Sequence, residues 1–374
     1  MNKMLLLTAF VSLLAFQSCN KENPVVVDNN SIGSASVIIN SIPYKTEKYL
    51  RIPYTIKMWE FEKDGLKLQQ ITAFDEITKA QLLKIEKEEL PYIYKSPLET
   101  NKYFTQDNID NYYISIQLAI PLEFSKPVKV THRFLFRDTV NNKDVTFEGA
   151  EFMPRLSETP IAISSPLKGK NLAFINQSSL GYHFYVLFFM NNKVFGGERF
   201  AFDEMQFNDD FTLYYEGDPK KNSSYFNYKD TLYAVADGKI FSIKDGRPEN
   251  NGDAQDVIMN SMDELAGNYA IIEMAGGYYA MYGHCVPNSF LVKQGDYVKE
   301  GTPIALLGNS GNSTAPHLHF QITDGADFLA SNGVPFVLKK YTKVADLNGD
   351  KLVVGPTVTL YNSMMEQFSI INIE

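Results

Sequence analysis

Residues Gly308–Phe320 read G-N-S-G-N-S-T-A-P-H-L-H-F. A loop of small residues runs into two histidines two positions apart, His317 and His319, with Leu318 and Phe320 interleaved. On a strand, residues i and i+2 point to the same face. The two imidazoles then share one face at the edge of a loop, and Leu318 and Phe320 turn to a core. By itself the pair fits a metal or catalytic site, or two polar residues at the start of a strand. The chain has five histidines in 374 residues. A third, His284, ends the apolar run Tyr278-Tyr-Ala-Met-Tyr-Gly-His284, where Gly283 permits a close approach of backbone. Three histidines at strand ends around glycine-rich turns argue for one shared site.

Working outward, the same segment is punctuated into short strands by Gly, Asn and Asp. The pattern predicts strands at Tyr182–Met190, Val194–Phe202, Thr231–Ala236, Gly238–Lys244, Tyr269–Met274, Tyr278–Gly283 and Pro303–Leu307. Two further strand-like runs follow, Lys351–Tyr361 and Phe368–Ile373. Before them, Ser164-Ser-Pro-Leu-Lys-Gly-Lys170 reads as a boundary. Upstream of it, Val128–Arg137 alternates, with Val128, Val130, His132, Phe134 and Phe136 on one face. Leu50–Phe61 and Tyr112–Phe124 are also strand-like. In Asp75–Leu90, by contrast, Ile77, Leu82, Leu83 and Ile85 fall near helical spacing. A length of 374 residues suits about two domains. The fold expected is mainly β: a β-sandwich over 36–163, a second domain over 165–341, and C-terminal strands over 342–374.

Composition agrees. Aromatics at 13% lean toward strands. A net charge of −9 offers no basic footprint for nucleic acid. The N-terminus reads as a targeting segment. Lys3 precedes an apolar run from Met4 to Phe16, long enough for a signal peptide and too short to span a bilayer. Phe16-Gln-Ser-Cys19 resembles a bacterial lipobox, in which cleavage leaves a lipid-bearing cysteine at the new N-terminus. Residues 1–18 are then the signal peptide, 19–35 a polar tether, and Cys19 a membrane anchor facing the cell envelope. With Cys19 lipidated, Cys285 has no partner for an intrachain disulfide.

The runs Gly267-Asn-Tyr-Ala-Ile-Ile-Glu, Gly277-Tyr-Tyr-Ala-Met-Tyr-Gly-His284 and Val292 through Phe320 together resemble the lysostaphin/LytM-type zinc metallopeptidases. Leu232-Tyr-Ala-Val-Ala-Asp-Gly-Lys-Ile240 is similar to the strand before that family's central hairpin. The resemblance covers about residues 165–340. It implies an antiparallel β-sheet groove holding one zinc ion, and cleavage of peptide bonds in peptidoglycan cross-links or glycine-rich peptides. In the family, His and Asp of an H-x-x-x-D motif and the second His of H-x-H hold the zinc. That maps a ligand onto His319. His317 and His284 map onto positions that assist catalysis.

The H-x-x-x-D motif has one match upstream, Arg199-Phe-Ala-Phe-Asp203. Asp203 takes the Asp position and Arg199 stands in place of the histidine. A guanidinium stays protonated and has no lone pair to give. His183 offers a candidate replacement: a tight hairpin about Asn191-Asn192 pairs positions summing to about 383, which sets His183 close to opposite Arg199, whereas a one-residue slip turns it to the other face as a half-buried strand histidine. Cys285 beside His284 makes no nucleophile pair, because adjacent strand residues face opposite ways. Two functions stay open. One is a lipid-anchored zinc endopeptidase acting on wall peptide. The other is a degenerate domain that binds wall peptide, or regulates another hydrolase, without cutting.

Overall fold

The computed structural model describes residues 34–59, 61, 65–95, 111–176, 181–190, 193–255, 257, 259, 261–348 and 351–374. The signal segment, Cys19 and most of the tether lie outside them. The chain divides into two compact units. The smaller is built mainly of Pro53–Pro154, and the larger of Ser41–Ile52, Arg155–Asn348 and Leu352–Glu374.

The first nine strands are β1 (Ser34–Asn40), β2 (Tyr44–Lys45), β3 (Tyr49–Trp59), β4 (Leu66–Asp75), β5 (Gln81–Glu86), β6 (Tyr94–Lys95), β7 (Asn111–Pro121), β8 (Val130–Asp138) and β9 (Lys143–Phe152). β2 pairs with the start of β3. In the smaller unit, one sheet runs β1-β3-β7-β6 and the other β5-β4-β8-β9. Their inner faces meet through large rings: Tyr54 of β3 lies 4.5 Å from Phe152 of β9, and its hydroxyl is 2.7 Å from His132 Nε2 of β8. The alternation holds from Val130 on, since Val130, His132, Phe134 and Phe136 are all buried, whereas Val128 precedes β8 and is exposed. The helical spacing in 75–90 does not make a helix. That stretch is a turn followed by β5, an edge strand set against β4 with Ile71 opposite Ile85. The backbone hydrogen bonds and the burial of Ile85 outweigh a weak helical period among exposed Lys and Glu.

The larger unit continues with β10 (Ile161–Ile163), β11 (Gly169–Ile175), β12 (Phe188–Met190), β13 (Lys193–Phe195), β14 (Phe202–Gln206), β15 (Thr231–Tyr233), β16 (Gly238–Lys244), β17 (Tyr269–Met274), β18 (Tyr278–Gly283), β19 (Tyr297–Val298), β20 (Pro303–Leu306), β21 (Leu318–Thr323), β22 (Phe336–Asn348), β23 (Lys351–Ser363) and β24 (Ser369–Ile373). Most join one sheet in the order β10-β22-β24-β11-β14-β21-β18-β17-β16-β19. The C-terminal strands are therefore part of this sheet, with β24 between β22 and β11. Its spine is antiparallel. Gly276 and Gly277, both at positive φ, let β17 turn straight back into β18.

The sheet has two unlike faces. Phe202, Leu318, Phe320, Ile322, Tyr282 and Phe174 pack into the main core on one side. The alternate residues Asp203, His319 and Gln321 point to the other. Two expected strands are broken up. Tyr182–Tyr185 is a 3-10 turn, and Phe188–Met190 alone pairs with Lys193–Phe195. The chain then turns at residues 197–200 before β14 begins. Gly196-Gly197 makes that turn possible: a Cβ on Gly197 would stand 2.4 Å from the Phe328 carbonyl oxygen.

Candidate metal and catalytic centre

Backbone register builds the site. Asp203 on β14 lies directly opposite His319 on β21, and His319 lies opposite Gly283 at the end of β18. Directly opposed residues share a face, so carboxylate and imidazole meet above the sheet. His319 Nδ1 is 3.0 Å from Asp203 Oδ1. Gly283 adds no side chain to this row. His317 precedes β21 on the same face, with Nε2 3.6 Å from Asp203 Oδ1. The expectation that His317 and His319 share a face holds.

His284 follows Gly283 at φ 63°, a left-handed conformation uncommon outside glycine. Its ring lies 4.6 Å from that of His317 and 5.8 Å from that of His319. Its Nδ1 is 2.7 Å from the Ser310 carbonyl oxygen. A carbonyl only accepts, so Nδ1 carries the hydrogen and the Nε2 of the neutral ring carries the lone pair. Ser310 is itself pinned. Its hydroxyl donates to Cys285 O and accepts from the Asn268 amide, both at 2.9 Å. His317 is held likewise, with Nδ1 2.8 Å from Ala315 O. Cys285 is buried and its Sγ donates to Tyr282 O.

His183 arrives by a route the sequence did not suggest. The hairpin register does sum to 383, but pairing ends at Phe188 and Phe195. The 3-10 turn at Tyr182–Tyr185 carries His183 in instead. Its Nε2 lies 3.6 Å from Asp203 Oδ2, and its ring is 4.8 Å from that of His319. Arg199 is 1% exposed, with its guanidinium 5.1 Å over the Phe184 ring. Burial pushes its pKa down to about 9. Four of the five histidines thus surround one carboxylate. The fifth, His132, is buried in the smaller unit.

The charges of the cluster are arranged around that carboxylate. Burial raises the Asp203 pKa, but His183, His317 and His319 outweigh it and hold the acid well below its usual range. Asn176 Nδ2 also donates to Asp203 Oδ2 at 2.8 Å. Burial holds His284 well below the usual imidazole value, and His317 and His319 add to that. Burial also lowers His183. Burial acts on His319 in the same direction, but the hydrogen bond and charge of Asp203 prevail and raise it to about 9.

Do these residues fit a metal? Among the described residues, His183, Asp203 and His319 offer ligand atoms that all lie within 4.8 Å of one another. His183 Nδ1 is buried without a hydrogen-bond partner. An unprotonated Nδ1 of His319 would set a lone pair 3.0 Å from a carboxylate oxygen, so a proton or a cation must lie between them. Two imidazoles and one carboxylate are a donor set that suits zinc and leaves a position open. The residues fit.

Sequence reading missed Asn176 and Gln321. Both act through side-chain hydrogen bonds that span 27 and 2 residues, and neither belongs to a spacing motif.

Comparison with known proteins gives a family likeness. Residues 225–331 match the model of peptidase family M23, so the chain carries a domain of that family, whose members are zinc metallopeptidases. That segment holds His284, His317 and His319, while His183 and Asp203 precede it. Peptidoglycan DD-endopeptidase ShyA of Vibrio cholerae is 35% identical over 89 residues, which is 24% of this chain and 20% of ShyA. A metalloprotease of Buchnera aphidicola is 26% identical over 244 residues, 62% of this chain and 57% of that protein. The chain thus spans about a fifth of the length of ShyA and over half that of the Buchnera protein. The catalytic domain of lysostaphin from Staphylococcus simulans is 25% identical, with 32% of this chain and 85% of that domain covered at a TM-score of 0.22.

Proposed function

We propose that the larger unit is a zinc metalloendopeptidase that hydrolyses peptide bonds in cell-wall peptidoglycan. The observation that carries the reading is the convergence of His183, His284, His317 and His319 on Asp203. His183, Asp203 and His319 are the ligand set, with His183 supplying the imidazole that Arg199 lacks. When bound, zinc supplies a Lewis acid that polarises the scissile carbonyl and lowers the pKa of water. His284 and His317 do the proton work. Each has Nδ1–H tied to a backbone carbonyl, so each offers Nε2 as the working atom. One ring takes the proton of the attacking water, and the other, protonated at Nε2, donates to the developing oxyanion. The proton then passes to the leaving amine.

The relatives named for action on peptidoglycan support wall peptide as the substrate. Lipid on Cys19 would hold the enzyme at a membrane surface within the cell envelope, with 19–35 as a tether. Among the described residues no helix is long and apolar enough to cross a membrane. Cys19→Ser should then release the protein from the membrane fraction. The chemical test is metal content together with new amine ends on purified peptidoglycan. About one zinc per chain and zinc-dependent amine release are expected, both lost in His319→Ala.

Arg199 favours a second reading, a domain that binds wall peptide without cutting it. Peptidoglycan binding by a protein that takes up no zinc and releases no amines would establish that reading and end the first.

A further inference from the structure

Gln321 follows His319 by two residues on β21, so both side chains stand on the site face. It is 1% exposed, and its amide is engaged at both ends. Nε2 donates to Gly197 O at 3.3 Å, and Oε1 lies 2.9 Å from His319 Nε2. The Gly197 oxygen can only accept, so the NH2 end faces Gly197 and the oxygen faces the imidazole. That amide oxygen can only accept as well. His319 Nε2 therefore carries a hydrogen, and the lone pair of a neutral ring falls on Nδ1. Nδ1 is the atom beside Asp203. The anchor is stiff, because Gly197 packs against the Phe328 and Ser331 carbonyls with no room for even a Cβ.

We propose that Gln321 is a positioning residue that selects Nδ1 of His319 as the metal-donor atom. The proposal rests on the zinc reading above. An imidazole has two possible donor atoms, and in the other tautomer the lone pair would point at the Gln321 oxygen, away from Asp203 and His183. Gln321 removes that alternative and fixes the plane of the ring. As a neutral acceptor it does so without adding negative charge beside Asp203. Outer-shell partners of ligating histidines act in this way, and losing one costs about 10–100-fold in metal affinity.

The test uses the full chain labelled with 15N-histidine, with and without zinc, and measures zinc affinity by competition with a chelator. In wild type, His319 Nε2 should hold a slowly exchanging hydrogen in both states, and zinc should move the Nδ1 resonance. Gln321→Leu should lose the slow exchange and bind zinc about 10–100-fold more weakly. Gln321→Glu keeps an oxygen toward Nε2 and should recover part of both. Unchanged His132 resonances would show that the sandwich is intact in each variant, and unchanged His284 resonances the same for the site loops. The proposal is overturned if wild-type Nε2 carries no hydrogen, or if Gln321→Leu binds zinc through Nδ1 as tightly as wild type. Should wild type bind no zinc, the zinc reading falls, and the exchange at Nε2 still decides whether Gln321 fixes the ring.

Discussion

At the scale of single residues, the decisive one is His183. In the proposed site Asp203 and His319 alone would be two ligands, one short of what a three-ligand zinc site needs. If His183 is the third, His183→Ala should weaken zinc binding by more than the roughly 10–100-fold that an outer-shell loss costs. Arg199→Ala should not produce that loss, because the guanidinium packs over Phe184. Chelator competition on the two variants checks this, and equal loss in both would count against the assignment. The histidines of the C-terminal half could be read from sequence because their spacing is local. His317 and His319 are two apart on one face, and His284 ends a strand. His183 was harder. It stands 20 residues before Asp203 on a 3-10 turn, and the strand pattern around it pointed to a hairpin that stops five residues short. Gln321 left no sequence signal, since a glutamine after a buried phenylalanine is ordinary on a strand.

At the scale of elements, strands bounded by glycine- and asparagine-rich turns were legible to the residue, as in Gly238–Lys244, Tyr269–Met274 and Tyr278–Gly283. Segments whose state depends on a distant partner were not, and β5 is the example: only β4 makes it a strand. The same dependence on partners fixes the chemistry of β8. His132 is enclosed between the sheets, its Nδ1 donating to Ala150 O at 3.0 Å and its Nε2 accepting from the Tyr54 hydroxyl at 2.7 Å. Both ring nitrogens are thus satisfied in the neutral form. Burial is the main cause that drives its pKa from 6.5 down to about 4, against the smaller upward pull of backbone hydrogen bonds. Between those values the unfolded chain takes up a proton that the folded sandwich refuses. Stability should therefore fall as pH drops through 6.5 toward 4, by about 3 kcal/mol in full and about 2 kcal/mol between pH 7.5 and 5. The chain's one tryptophan, Trp59, lies on β3 in this unit, so its fluorescence in urea reports the right transition. The double variant His132→Leu/Tyr54→Phe removes the titrating group and should lose this part of the pH slope. An unchanged slope would mean that other groups carry the acid sensitivity.

At the scale of the whole molecule, the larger unit holds every proposed ligand, while the only tryptophan lies in the smaller. His183, Asp203 and His319 come from a turn near residue 183, from β14 and from β21, segments that unfolding separates. A ligand that binds only the assembled set stabilises the folded state by mass action. At free zinc a hundredfold above its dissociation constant the increment is about 2.7 kcal/mol. For a unit of this size that corresponds to a rise in Tm of roughly 5–10 °C. Calorimetry of the full chain with and without zinc measures the rise, and Trp59 fluorescence identifies the transition that belongs to the sandwich. His319→Ala removes the ion's anchor on β21 and should abolish the increment. His284→Ala should keep most of it, because His284 lies outside the proposed ligand set. Loss of the increment in both variants would mean that the ion takes its ligands from the H-x-H side of the cluster, with His284 among them, and would reverse the division of labour between the four histidines.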